Sequence, residues 1–129
     1  MNNPAPFDIL LLSNQYGDIL SDLCAGLVGS LGLAPGANIG GEYAFFEASH
    51  GAAPDIAGQN IANPLALVLS ASLMLRHLGE INLGVTIEGA VAKILREKRG
   101  LTPDLGGSST TEEMAIELVR IIKGERGGC

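Results

Sequence analysis

A chain of 129 residues is long enough to bury one core, and its length gives no reason to expect two domains, so residues 1–129 are read as a single segment. Eight Lys and Arg stand against fourteen Asp and Glu, for a formal net charge of −6. With no broad basic surface, scarce aromatics and no tryptophan, the composition argues against nucleic acid as a partner. Mean hydropathy is +0.30, yet the most apolar stretch, Leu65 to Leu75, is broken by Ser70 and Ser72 and closed by Arg76 and His77. That is short of the roughly 20 apolar residues of a membrane span.

The chain opens Met1-Asn2-Asn3-Pro4 with no basic stretch leading into an apolar core, and the expectation is cytoplasmic residence. Cys24 and Cys129 make no disulfide framework. Cys24 reads as a small buried hydrophobe and Cys129 as a tail residue. The glycines cluster between Gly17 and Gly58, which marks a segment with special backbone requirements.

Phe7 to Ser13 is a short, nearly continuous apolar run, the pattern of a strand covered on both faces. A turn over Asn14 to Gly17 then leads into a helix from Asp18 to about Leu31, in which Leu20, Leu23, Leu27 and Leu31 recur at helical spacing. Gly32 to Gly41 reads as a loop and Tyr43 to Ala48 as a second strand. The Gly- and Ala-rich segment His50 to Asn63 has no clear period. Asn63-Pro64 supplies a cap and a helix-starting proline for an apolar helix from Leu65 to Leu78, stopped at Gly79.

A further helix is predicted over Asn82 to Arg99, with Ile87, Ala90, Val91, Ile94 and Leu95 on its buried face and cations in its last turns, ended by Gly100. After a connection through Pro103 and Gly106-Gly107, Thr110 and Glu113 are spaced as a capping box. They open a last helix whose stripe is Met114, Leu118, Val119 and Ile122, closed by Gly124. Two strands and four helices make an α/β pattern with too little sheet, so strands come from a partner or from a longer protein, and the second reading is preferred.

Two constellations can carry chemistry. Asp18 and Asp22, four apart at a helix start, project from one face toward the positive end of the helix dipole. Two carboxylates with open positions suit Mg²⁺ or Mn²⁺, although acidic residues in a first turn also serve ordinary dipole chemistry. In His50-Gly51-Ala52-Ala53-Pro54-Asp55-Ile56 the small residues let a ligand approach the backbone, and Asp55 can accept hydrogen bonds from ribose hydroxyls while repelling a ribose phosphate. A tight surface loop is the alternative. The glycines do not have the G-x-G-x-x-G spacing. His77 reads as a dipole-complementing or satisfied histidine rather than a ligand, and no nucleophile elbow or Cys/His metal spacing supports hydrolase or zinc chemistry.

NQYGDILSDLCAGLVGSLGLAPGANIG and FEASHGAAPDIAGQNIANP resemble, in order and separation, the metal-binding and nucleotide-loop segments of the β-decarboxylating dehydrogenases, the isocitrate/isopropylmalate dehydrogenase family. The resemblance implies the fold: α/β, the C-terminal portion of that family's large domain, an incomplete sheet packed by helices. It makes Asp18 and Asp22 ligands of Mg²⁺ or Mn²⁺ beside a further Asp from a neighbouring subunit. NAD would contact Glu47, His50, Gly51, Ala52, Ala53, Pro54, Asp55, Ile56 and Asn63, with Asn63 near the adenine. NADP-dependent relatives carry Lys-Tyr where Asp55-Ile56 stands, so the cofactor implied is NAD.

Leu23 follows the second metal Asp, where isopropylmalate enzymes usually carry an acid, which favours isocitrate as the small-molecule substrate. The implied reaction is hydride transfer to NAD⁺ followed by loss of CO₂, in a homodimer or larger assembly. The family's substrate-binding Ser and Arg, its catalytic Tyr and Lys and its third metal Asp all lie upstream of the part represented here. No catalytic residue is therefore assigned, and the segment alone is expected not to turn over. Other readings are a 3-isopropylmalate, homoisocitrate or tartrate dehydrogenase segment, a non-catalytic regulatory subunit, or a product that never folds stably.

Overall fold

The computed structural model describes residues 7–124. Their order is α1 (Asn14–Val28), a 3-10 turn (Leu31–Leu33), β1 (Pro35–Ile39), β2 (Ala44–Ala48), a 3-10 turn (Pro54–Ile56), α2 (Leu65–His77), α3 (Ile81–Glu97), a 3-10 turn (Pro103–Leu105) and α4 (Thr111–Ile122). The strands form a two-stranded antiparallel sheet with Pro35 opposite Ala48 and Ile39 opposite Ala44. The fold is α/β, a short sheet packed by helices, as the sequence implies.

An isolated hairpin is marginal in water, and this one is held against α2 by more than apolar contact. Ser70, 1 % exposed, places its hydroxyl 2.6 Å from the Glu47 carbonyl and 2.8 Å from the Ala66 carbonyl, while accepting from the Gly36 N–H at 3.3 Å. A hydroxyl carries one proton, so the shorter bond to β2 and the acceptance from β1 stitch both strands to the helix.

Below the hairpin, Leu65, Ala90, Val91, Ile94, Leu101, Met114 and Leu118 form the buried cluster that joins α2, α3 and α4. Asn63 Oδ1 accepts from the Leu65 N–H at 2.9 Å and Pro64 brings no N–H to satisfy, so the first donor of α2 enters the core with a partner. Thr110 and Glu113 form the expected capping box at the start of α4. Arg76 and His77 stand in the last turn of α2, and the His77 ring lies 5.7 Å from that of Phe46 in a tilted pair. That contact gives His77 a packing role against β2.

Several elements differ from expectation. Phe7 to Ser13 forms no strand and is exposed, Leu11 at 95 %: a strand covered on both faces needs neighbours that none of the described residues provides. The first strand lies instead in Pro35–Ile39, inside the predicted loop, because pairing with β2 makes a strand of a sequence with no period of its own. Asn14 to Gly17 is the first turn of α1, with the Gly17 N–H on the Ser13 carbonyl at 2.8 Å, so the helix begins a turn earlier and ends at Val28. Cys24 is exposed, because α1 packs mainly on the 3-10 turn that follows it. Cys129 lies outside the described residues.

On α3 the buried face is as read, with Ala90, Val91 and Ile94 at its centre, but the helix stops at Glu97 and Lys98 adopts the left-handed conformation before Gly100. On α4, Met114 and Leu118 are buried while Val119 and Ile122 face outward. Ile121 packs on the core instead, since Met114, Leu118 and Ile121 fall on one line at helical spacing.

The α2–α3 contact is close enough to require a glycine. A Cβ on Gly84 would meet Arg76 Cγ at 2.6 Å and the Ser72 carbonyl oxygen at 3.1 Å. Buried Ser72 lies 3.0 Å from the Gly84 carbonyl and 2.8 Å from Glu88 Oε1, and Arg76 Nη1 reaches both Glu88 oxygens at 3.0 and 3.1 Å. Ser72 first, then Arg76, hold the Glu88 carboxyl below its usual range. Gly84→Ala gains about 1 kcal/mol of helix propensity but separates the helices at a cost of about 1–3 kcal/mol. The variant is expected to show a lower denaturant midpoint; an equal or higher one would mean that the contact relaxes freely.

Candidate functional site

Three turns and two helix starts surround one open cavity of about 820 Å³, within the range of small-molecule sites. Its walls are Ser30–Gly32 after α1, His50–Ala53 and Ile56–Gly58 after β2, Asn60–Asn63 before α2, and Asp104 with Thr111. The loop is shaped by local bonds. Ala53 sits at φ +43, in the left-handed region, and turns the chain into Pro54–Ile56. Gln59 Nε2 donates to the Asp55 carbonyl at 2.7 Å, and His50 Nδ1 lies 3.0 Å from the Gly51 carbonyl.

The far end of the loop is tied to α4. The Thr111 N–H donates to the Asn60 carbonyl at 2.8 Å, the Glu112 N–H to Asn60 Oδ1 at 3.3 Å, and the Thr111 hydroxyl to the Ala62 carbonyl. Asn60 itself is at φ +57, a conformation that asparagine tolerates better than most residues. Two of the free N–H groups at the start of α4 are thereby satisfied, and the loop gains a fixed base.

Asp104 joins the remaining walls. Its Oδ2 accepts from Ser30 Oγ at 2.6 Å and from Asn63 Nδ2 at 2.9 Å, and its Oδ1 accepts from Thr102 Oγ1 at 2.6 Å. Burial pushes its pKa up, but the hydrogen bonds from Ser30, Thr102 and Asn63 outweigh that and hold the carboxyl below its ordinary value.

Of the residues singled out from the sequence, His50, Gly51, Ala52, Ala53, Ile56 and Asn63 line this cavity; Glu47, Pro54 and Asp55 do not. Glu47 is exposed on β2, with Oε1 accepting from Asn38 Nδ2 at 3.4 Å. Asp55 is exposed in the 3-10 turn beside Ile56. The cavity adds Ser30, Gly32, Asn60, Asp104 and Thr111, which sequence reasoning passed over. The one available signal was Asp104 in a Pro-Asp turn beside a threonine.

Asp18 and Asp22 share a face of α1 and are exposed, but with the helix starting at Asn14 neither stands in its first turn. The dipole no longer contributes to them. Asn14 Nδ2 lies 3.4 Å from Asp18 Oδ2. Among the described residues no three His, Cys, Asp or Glu side chains gather as a metal cluster, and Asp18 and Asp22 are a pair of exposed carboxylates. A hard cation that keeps water and substrate oxygens fits such a pair. No helix among the described residues is long and apolar enough to cross a membrane.

The family model for isocitrate/isopropylmalate dehydrogenase matches residues 1–118. The mitochondrial NAD isocitrate dehydrogenase subunit alpha of Bos taurus is 49 % identical over 124 residues, 95 % of this chain and 34 % of the relative. The 3-isopropylmalate/3-methylmalate dehydrogenase of Methanocaldococcus jannaschii is 53 % identical over 126 residues, 97 % of this chain and 37 % of that protein. The crystal structure of isocitrate dehydrogenase from Methylococcus capsulatus superposes with a TM-score of 0.89 at 48 % identity, covering 94 % of this chain and 36 % of that one. The chain thus spans about a third of the length of the relatives it matches.

Because the folded-state pKa of Asp104 lies below the unfolded one, its carboxylate stabilises the fold above about pH 4 and loses that contribution as pH falls through the depressed value. Asp104→Ala is expected to cost about 1 kcal/mol at pH 7, allowing for solvent access. The gap in unfolding midpoint should close on acidification. A gap of equal size at pH 3 and pH 7 would show that ionisation of Asp104 contributes nothing.

Proposed function

The chain belongs to the isocitrate/isopropylmalate dehydrogenase family, and we propose that it is the nucleotide- and metal-binding part of an NAD-dependent enzyme that oxidatively decarboxylates isocitrate to 2-oxoglutarate. One observation carries this reading. Most of the loop that the sequence marks for a nucleotide, His50–Ala53 with Ile56, lines together with Asn63 a cavity of about 820 Å³, and Ser30–Gly32, the turn that follows the helix bearing Asp18 and Asp22, lines it as well.

In this reading Gly51, Ala52 and Ala53 leave the backbone open to the cofactor, Asp55 accepts the ribose hydroxyls, and Ile56 and Asn63 bound the adenosine half of NAD. Asp18 and Asp22 hold Mg²⁺ or Mn²⁺ together with a carboxylate from a neighbouring subunit, in a homodimer or larger assembly. The metal, when bound, polarises the substrate's hydroxyl and carboxylate oxygens. Substrate-reading and proton-transferring side chains belong to the rest of the complete protein, and the segment alone is proposed not to turn over.

A 3-isopropylmalate substrate is the second reading, because the Methanocaldococcus jannaschii enzyme matches at 53 %. Leu23, in place of an acid after Asp22, favours isocitrate.

Titration of the complete protein with NAD⁺ and NADP⁺ in the presence of Mn²⁺ tests the proposal. NAD⁺ is expected to bind about tenfold or more tightly, since a surface charge repulsion of about 1.4 kcal/mol from Asp55 suffices for that. Asp55→Lys combined with Ile56→Tyr should reverse the order, and Asp18→Asn should abolish Mn²⁺ binding while sparing NAD⁺. Equal affinity of the wild type for the two nucleotides would sink the NAD reading. Turnover of isopropylmalate but not isocitrate would replace the substrate.

A further inference from the structure

We propose that Asp104 is the positioning residue of the nucleotide cavity, its carboxylate fixing the amide of Asn63 and the Ser30–Gly32 turn as one preformed wall for the adenosine half of the cofactor. The proposal rests on the nucleotide reading above and adds a residue outside the loop that carries it.

The Asn63 amide is bonded at both ends. Its oxygen accepts from the Leu65 N–H at 2.9 Å and its nitrogen donates to Asp104 Oδ2 at 2.9 Å. A flipped amide would set the oxygen against the Asp104 carboxylate and the NH₂ group against the Leu65 N–H, two repulsions in place of two bonds. Asp104 therefore decides which groups Asn63 can still offer a guest: one amide hydrogen, one lone pair and the main chain. A carboxylate does this better than a neutral acceptor, because a charge-assisted hydrogen bond is about twice as strong.

The Ser30–Gly32 turn depends on the same oxygen. Ser30 Oγ donates to Asp104 Oδ2 at 2.6 Å and accepts from the Gly32 N–H at 3.0 Å, closing the turn on itself. Gly32 then lies flat on Asn63: a Cβ there would stand 2.7 Å from Asn63 Cβ and 2.9 Å from Asn63 Nδ2. Asp104 is itself anchored from behind by Thr102, which is fully buried and bonds Oδ1 at 2.6 Å. One carboxylate thus locks three segments distant in sequence into a cavity wall before any ligand arrives, and such preorganisation removes an ordering cost from binding.

The test measures ADP-ribose and Mn²⁺ affinities of the complete protein, with thermal midpoints recorded alongside, for the wild type and for Asp104→Ala, Asp104→Asn and Ser30→Ala. Asp104→Ala is expected to weaken ADP-ribose about tenfold, the loss of about one charge-assisted hydrogen bond's worth of ordering. Asp104→Asn and Ser30→Ala should each weaken it about threefold, with Mn²⁺ affinity unchanged in all three. A role confined to stability would lower the midpoints and leave ADP-ribose affinity within twofold of wild type, which overturns the proposal. Should Asp104→Ala fail to fold, Ser30→Ala and Asp104→Asn decide by the same criterion. Failure of the wild type to bind ADP-ribose sinks the nucleotide reading itself, whereas wild-type binding with unaffected variants sinks this inference alone.

Discussion

Everything in this structure depends on how α2 is held at its head. The helix enters the core at Leu65, which is fully buried, and its first free N–H is capped by Asn63. From that point it presents buried Ser70 to the hairpin and buried Ser72 to α3. Polar groups at these depths are tolerated because each is bonded; no buried side-chain nitrogen or oxygen among the described residues lacks a partner. The serines that break up an apolar run in the sequence are the seams along which the hairpin and the helices are joined. The residue that caps α2 is also a wall of the cavity, so the core and the candidate site share one boundary.

How much of this could be read beforehand follows from the range of each signal. The capping box of α4, the stop of α2 at Gly79 and the buried face of α3 are written in neighbouring residues and turned out as read. Phe7 to Ser13 and β1 failed for opposite reasons. The first is a strand pattern whose meaning depends on cover that the described residues do not supply, and the second is a patternless stretch made into a strand by its partner. α4 shows a smaller version: the stripe was misplaced over its second half, where Ile121 and not Val119 or Ile122 faces the core.

The candidate site divides the same way. The loop from His50 to Ile56 was visible because a compact Gly/Ala/Pro/Asp segment after a strand is a local signature. Asp104 was not, since its three donors, Ser30, Asn63 and Thr102, are up to 74 residues away in sequence. Only the folded chain brings them to one carboxylate. Thr111 and Asn60 escaped for the same reason, and the loop they anchor would otherwise have no fixed base.

Two acids stand near the cavity, and their hydrogen bonds separate their duties. The carboxylate of Asp104 is taken up within the protein, with Ser30 and Asn63 on one oxygen and Thr102 on the other. The group that Gln59 engages at Asp55 is the main-chain carbonyl, and no hydrogen bond among the described residues uses the Asp55 carboxylate. An acid already holding three donors is less well placed to bind a sugar, whereas an exposed one in a turn whose backbone is fixed retains its acceptors. On the proposed reading, Asp55 selects the ribose and Asp104 shapes the wall beside it. Exchanging the two environments would cost both functions, because a free carboxylate at position 104 would leave Asn63 unset and one already holding three donors at position 55 would have little left to offer the cofactor.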